Sequence, residues 1–149
     1  MKRALMLSLL VLAAACRSAG GPEPGQNTSE MAVNQFVSAA RAQDMQALST
    51  VWGNADSPTR DRVEREELER RMLIIMCHLK HDESRIGAAR PGEAGRTLHT
   101  VDFKKGELER SSTFTTVRNA KSNRWYVEDV DLSPLRDLCA QTPKGSAKP

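Results

Sequence analysis

Four side chains in the carboxyl-terminal half have the chemistry for proton transfer: His99 and Asp102 in TLHTVDF, and Tyr126 and Asp129 in RWYVEDV. A pocket acid or base needs partial burial and a neighbour that tunes its pKa. If the first run is a strand, alternation puts Thr97, His99, Val101 and Phe103 on one face, and Leu98, Thr100 and Asp102 on the other. His99 then points with the apolar residues, where a histidine reads first as packing and only second as a base. His99 and Asp129 are the catalytic candidates that remain. A second constellation is Cys77, His78, His81 and Asp82, with Cys77 and His81 one helical turn apart. Two ligands make half a tetrahedral site, and no other Cys-His cluster completes it. No metal and no cofactor is expected.

The elements that must position these residues follow from periodicity. NTSEMAVNQFVSAARAQ places Val33, Phe36, Val37 and Ala40 on one helical face, with Asn27 and Glu30 as the capping arrangement. Asp44 is a good N-cap for a short second helix that turns Leu48, Val51 and Trp52 inward before Gly53. Ser57-Pro58 predicts the start of a third, longer helix. Its first half sets charges four apart, Arg60 with Glu64, Asp61 with Arg65, Glu66 with Arg70 and Glu67 with Arg71, which reads as a solvated face. Its second half, MLIIMCHLKHD, is apolar nearly all round and must be packed, with Leu68, Met72, Ile75, Met76 and Leu79 as the stripe.

After the loop AARPGEAGR the texture changes to three strand-like runs, Thr97 to Phe103, Ser111 to Arg118 and Arg124 to Leu132. Lys105-Gly106 and Ser122-Asn123 are turn chemistry, so neighbouring runs should pair antiparallel. Helices first and strands afterwards give an α+β domain, with the amino-terminal helices packed on one face of a curved antiparallel sheet. The chain of 149 residues has room for one compact domain, and with 39% hydrophobic residues and six aromatics its core must be mainly aliphatic and methionine-based. Basic and acidic residues, 22 against 19, are interleaved through the middle of the chain. That is a solvated surface and not a nucleic-acid footprint, which would cluster Lys and Arg with aromatics between them.

The amino end has its own logic. Met1-Lys2-Arg3 is basic, and Ala4 to Ala15 is apolar except for Ser8. This matches a secretory signal over residues 1–15, shorter than the roughly 20 apolar residues that cross a bilayer. Ala13-Ala14-Ala15 followed by Cys16 resembles the lipobox of bacterial lipoproteins, with Leu12 four places before the cysteine where that family usually has leucine three before. The resemblance implies that the Cys16 thiol receives a diacylglycerol, that the signal is cut before it, and that the new amine is acylated. An Ala-x-Ala cleavage site with an incidental cysteine is the plainer alternative. Arg17, in the place where an aspartate commonly signals inner-membrane retention, leans by resemblance toward the outer membrane. Residues 16–28 then read as the lipidated cysteine and a flexible tether, since SAGGPEPGQNT cannot bury enough apolar area to fold.

The amino-terminal VNQFVSAARAQDMQAL, followed by helices and by strands ending in RWYVEDVDL, resembles the NTF2-like or SnoaL-like superfamily. That resemblance implies a cone of helices over a strongly bent sheet across residues 29–139. A cystatin-like or generic α+β sandwich is the alternative. The superfamily includes cofactor-free isomerases and dehydratases as well as non-catalytic binding modules. No tyrosine or aspartate occupies the inward face of the first helix, where the isomerase-like members keep an oxyanion donor. The expectation is therefore a membrane-anchored lipoprotein acting as a non-catalytic binding or assembly module in the cell envelope. Its partners are the membrane through the lipid, and an envelope protein or a small-molecule ligand. The alternative is a small enzyme using the cone pocket, with His99 or Asp129 as acid/base.

If Cys16 is lipidated, Cys77 and Cys139 remain, and an exported chain meets an oxidising compartment where an even remainder pairs. A Cys77–Cys139 disulfide is expected, with two buried free thiols as the alternative. Residues 140–149, AQTPKGSAKP, have no apolar period and read as a disordered tail.

Overall fold

The computed structural model describes residues 23–140 of the chain. The signal segment, Cys16 and the tail beyond Ala140 lie outside the described residues. Helix α1 runs Ser29–Ala42 and buries Ala32, Val33, Phe36, Val37, Ala39 and Ala40. Its N-cap is Thr28, whose hydroxyl accepts the Met31 N–H at 3.1 Å. The capping role expected of Asn27 is not taken, because its Oδ1 accepts a hydrogen bond from Arg124. Helix α2, Met45–Val51, is capped by Asp44 as its sequence predicts, with Ala47 N–H donating at 3.0 Å.

The third helix begins later than expected. Ser57-Pro58 leads only into a 3-10 turn at Thr59–Asp61, and α3 spans Arg65–His78. The reason is tertiary: Thr59 donates to the Trp52 carbonyl at 2.9 Å, and Gly53 bridges Pro58, so this stretch is tied to the end of α2. Arg60 with Glu64 and Asp61 with Arg65 therefore do not share a helix and do not pair. Glu67 collects the charges, accepting from Arg71 at 2.6 Å and from Arg70 at 2.8 Å. The stripe of Leu68, Met72, Ile75, Met76 and Leu79 is buried, but Leu73 and Ile74 are each 55% exposed, which corrects the expectation of packing all round.

The sheet has two members that the sequence pattern did not reveal. Strand β1, Glu83–Ile86, and the two-residue β2, Arg90–Pro91, both pair antiparallel with β3, Thr97–Lys105. They follow one another along the same side of β3, interrupted at residues 87–89. Strand β4, Leu108–Arg118, and β5, Trp125–Val130, complete the order β1-β3-β4-β5. Gly106 and Asn123 adopt positive φ, 56° and 60°, at the two expected turns. The register shifts between Thr115 and Thr116, where Asp129 and Val127 are paired and Glu128 is the extra residue of a bulge.

One face of the sheet meets the helices. Phe36 lies edge-on to Phe114 at 6.0 Å, and Val101, Phe103 and Val127 join the same core. Before α1, a strap crosses the end of β5: Gln26 exchanges two backbone hydrogen bonds with Trp125, and Gly25 donates to the Thr50 carbonyl at 2.7 Å. Arg124 donates to the Gly25 carbonyl at 2.7 Å and also to Asn27. The part of the expected tether nearest the domain is thus fixed to it. Beyond β5 a 3-10 turn, Ser133–Leu135, and helix α4, Arg136–Cys139, bury Leu135 and Leu138. Cys139 of α4 is joined to Cys77 of α3 by a disulfide, with Cα atoms 4.8 Å apart.

Candidate functional site

The two faces of the sheet offer different chemistry. On the helix-covered face, β3 directs His99, Val101 and Phe103 inward, as alternation predicts, and His99 stands opposite Phe114. The imidazole is 1% exposed, and neither of its nitrogens has a hydrogen-bond partner. Burial pushes its pKa down. The Gly87 carbonyl lies near enough to oppose this shift but not in hydrogen-bonding geometry. A neutral, enclosed ring with no carboxylate in hydrogen-bonding reach has neither a route for substrate nor a partner to relay a proton.

Asp129 is on the other side of the sheet. It pairs with Thr115, away from the helices, and is exposed, so the two catalytic candidates do not share a pocket. Tyr126 is 3% exposed and faces away from the core beside Val117, with its ring against Gly53, where a Cβ would lie 2.8 Å from Cδ1. Burial raises its pKa, so the phenol stays protonated. Cys77 is engaged in the disulfide and is not available as a metal ligand beside His81.

The open face carries the polar constellation. Register aligns Glu83, Lys104 and Glu109 in one row, and Arg85, Asp102 and Ser111 in the next. Asp102 accepts from Ser111 Oγ at 2.7 Å and from Arg85 Nη2 at 2.9 Å. The hydrogen bond from Ser111, then that from Arg85, holds its carboxyl below the usual carboxylate range. Such a carboxylate is a weak base, and a serine with no histidine beside it is not an activated nucleophile. With Arg110, these residues line a shallow depression of about 700 Å3. It offers donors and acceptors of both signs, held in rows by the ladder. Sequence alternation placed Asp102 on this face. What it lacked was β1, which supplies Arg85 and Glu83.

No protein-family model, no curated protein and no solved structure matches the chain.

Proposed function

We propose that this chain is a lipid-anchored bacterial envelope protein, attached through Cys16, whose domain binds or assembles with partners through its surface and does not catalyse a reaction in an interior pocket. The observation that carries the non-catalytic part is the closed surrounding of His99, 1% exposed on the helix-covered face and opposite Phe114. The row of Arg85, Asp102 and Ser111 on the open face supplies a recognition surface in its place. The Cys77–Cys139 disulfide supports export, since such bonds persist in oxidising compartments. Helices followed by an antiparallel meander with a bulge at Thr115/Thr116 support an NTF2-like shape, with the cone filled by side chains. The basic, apolar and small-residue order of residues 1–15 ahead of Cys16 supports the anchor and an outer-membrane location.

Native mass spectrometry on the protein extracted from its own membrane in mild detergent tests the reading. The expected mass is that of triacylated Cys16 to Pro149 less two hydrogens, with a co-travelling chain or small molecule as the partner. An unlipidated chain cut elsewhere removes the anchor. Turnover of a co-purified small molecule by the isolated domain removes the non-catalytic reading.

A further inference from the structure

A second polar cluster shares no residue with the open-face depression, which it neighbours through Asp82 and Lys105. The connection between α3 and β1 passes the carboxyl end of α1, so that Arg41, Gln43, Lys80, His81, Asp82 and Lys105 surround a depression of about 340 Å3. His81 forms its wall: the side chain is only 8% exposed, with its ring 5.1 Å from that of Phe103. Nδ1 lies 2.7 Å from the Leu79 carbonyl, so Nδ1 carries the hydrogen and donates it. Nε2 is then a lone-pair acceptor, and it makes no hydrogen bond among the described residues.

The charge around this acceptor is cationic. Arg41, Lys80 and Lys105 make no ion pair among the described residues. Lys105 gives one hydrogen to the Leu138 carbonyl at 2.6 Å and keeps others for a ligand. The one carboxylate, Asp82, accepts the Gly106 N–H at 2.8 Å. The carbonyls ending α1 would repel an anion, but two of them are covered: Gln43 N–H serves Ala39 and Ala40, and Gln43 Nε2 donates to Ala40 at 2.9 Å.

We infer that this depression binds a phosphate monoester, with Arg41, Lys80 and Lys105 on the charged oxygens and the P–OH of the monoanion donating to Nε2 of His81. Sulfate and carboxylates carry no such proton at about pH 6.5, so an acceptor in the wall of a cationic pocket selects against them. Burial, aided by Arg41 and opposed by the Leu79 carbonyl and Asp82, lowers the ring's pKa and so favours the neutral form in which Nε2 accepts. A free phosphate and a lipid head group ending in a monoester share this chemistry. The inference does not depend on the anchor.

The test uses the full chain with Cys16→Ser, which cannot be acylated, and with the Cys77–Cys139 bond formed. Inorganic phosphate is titrated at about pH 6.5, with sulfate as the comparison, while the histidine ring resonances are followed. The expected result is movement of the His81 signals with those of His99 unchanged, and affinity at least about tenfold weaker for sulfate. Arg41→Gln with Lys80→Gln, both exposed and so tolerated by the fold, should weaken phosphate about tenfold or more. His81→Asn keeps a donor for Leu79 and should lose the preference over sulfate. Flotation with phosphatidylcholine vesicles, with and without phosphatidic acid, separates the sources. Retention that needs phosphatidic acid and both cations means a lipid head group, and phosphate binding without it means a soluble ligand. The inference is overturned if neither probe binds, if sulfate equals phosphate, or if the double variant binds as the parent does.

Discussion

His99 stands directly across the β3–β4 ladder from Phe114, and of the two rings it is the imidazole whose polar atoms are left without partners. The site would suit a second phenyl ring, since an unsatisfied buried polar group costs about 1 to 3 kcal/mol. The folded protein holds His99 below its usual pKa, whereas the unfolded ring titrates near 6.5. Below that value the unfolded state takes up a proton that the folded state refuses. Stability is therefore complete above about pH 6.5 and declines as pH falls beneath it. His99→Phe should raise stability at neutral pH by about 1 kcal/mol and flatten this decline. His81, also held low, leaves a residual slope. Urea unfolding between about pH 7.5 and 5 checks it, and an unchanged slope in the variant would count against the burial argument.

The disulfide should matter more than any single core contact. It closes a loop over a sequence separation of 62 residues, for which chain entropy predicts about 4 kcal/mol. Reduction, or Cys77→Ala with Cys139→Ala, should lower the urea midpoint accordingly. Only a small loss would show that Leu135, Leu138 and the Lys105 bond hold α4 by themselves.

At Gly25 the backbone is left-handed, with φ at +78°, and an added Cβ would come within 2.8 Å of Arg124 Cβ. Gly25→Ala is expected to cost about 1 to 3 kcal/mol and to release the strap. Hydrogen exchange reads this locally: Gly25 and Gln26 amides should lose protection while β3 amides keep theirs.

Thr28 takes the capping role that the sequence suggests for Asn27, which bonds Arg124 instead. Thr28→Ala should cost about 1 kcal/mol through the lost cap. Asn27→Ala should leave α1 intact and loosen only Arg124. Equal effects of the two substitutions on α1 amide protection would sink the distinction.

The helices and the central hairpins were legible because their signals are local. The α1 face, the Asp44 cap, the α3 stripe, the Gly106 turn and the inward direction of His99 all follow from spacing within one segment. What escaped depends on distant partners. Glu83–Ile86 has three exposed side chains and becomes a strand only because β3 is there to pair with it. Ser57-Pro58 carries a good helix start, yet the Trp52 carbonyl binds Thr59 and spends that signal on a turn. The acceptor in His81 was equally hidden, since Arg41 and Lys105 reach it from elements far away in sequence.

The two rims of the sheet end differently, and both end soon. On one side the outer line is four residues, then a break, then two residues that include Pro91, with Glu83 and Arg85 placing charges along it. On the other, β5 is already occupied by Gln26 at Trp125 and by Trp52 and Gly53 at Val127. Neither rim presents a long run of free peptide groups that a neighbour could extend. Copies crowded together on a surface would meet as separate bodies, without stitching their sheets into a ribbon.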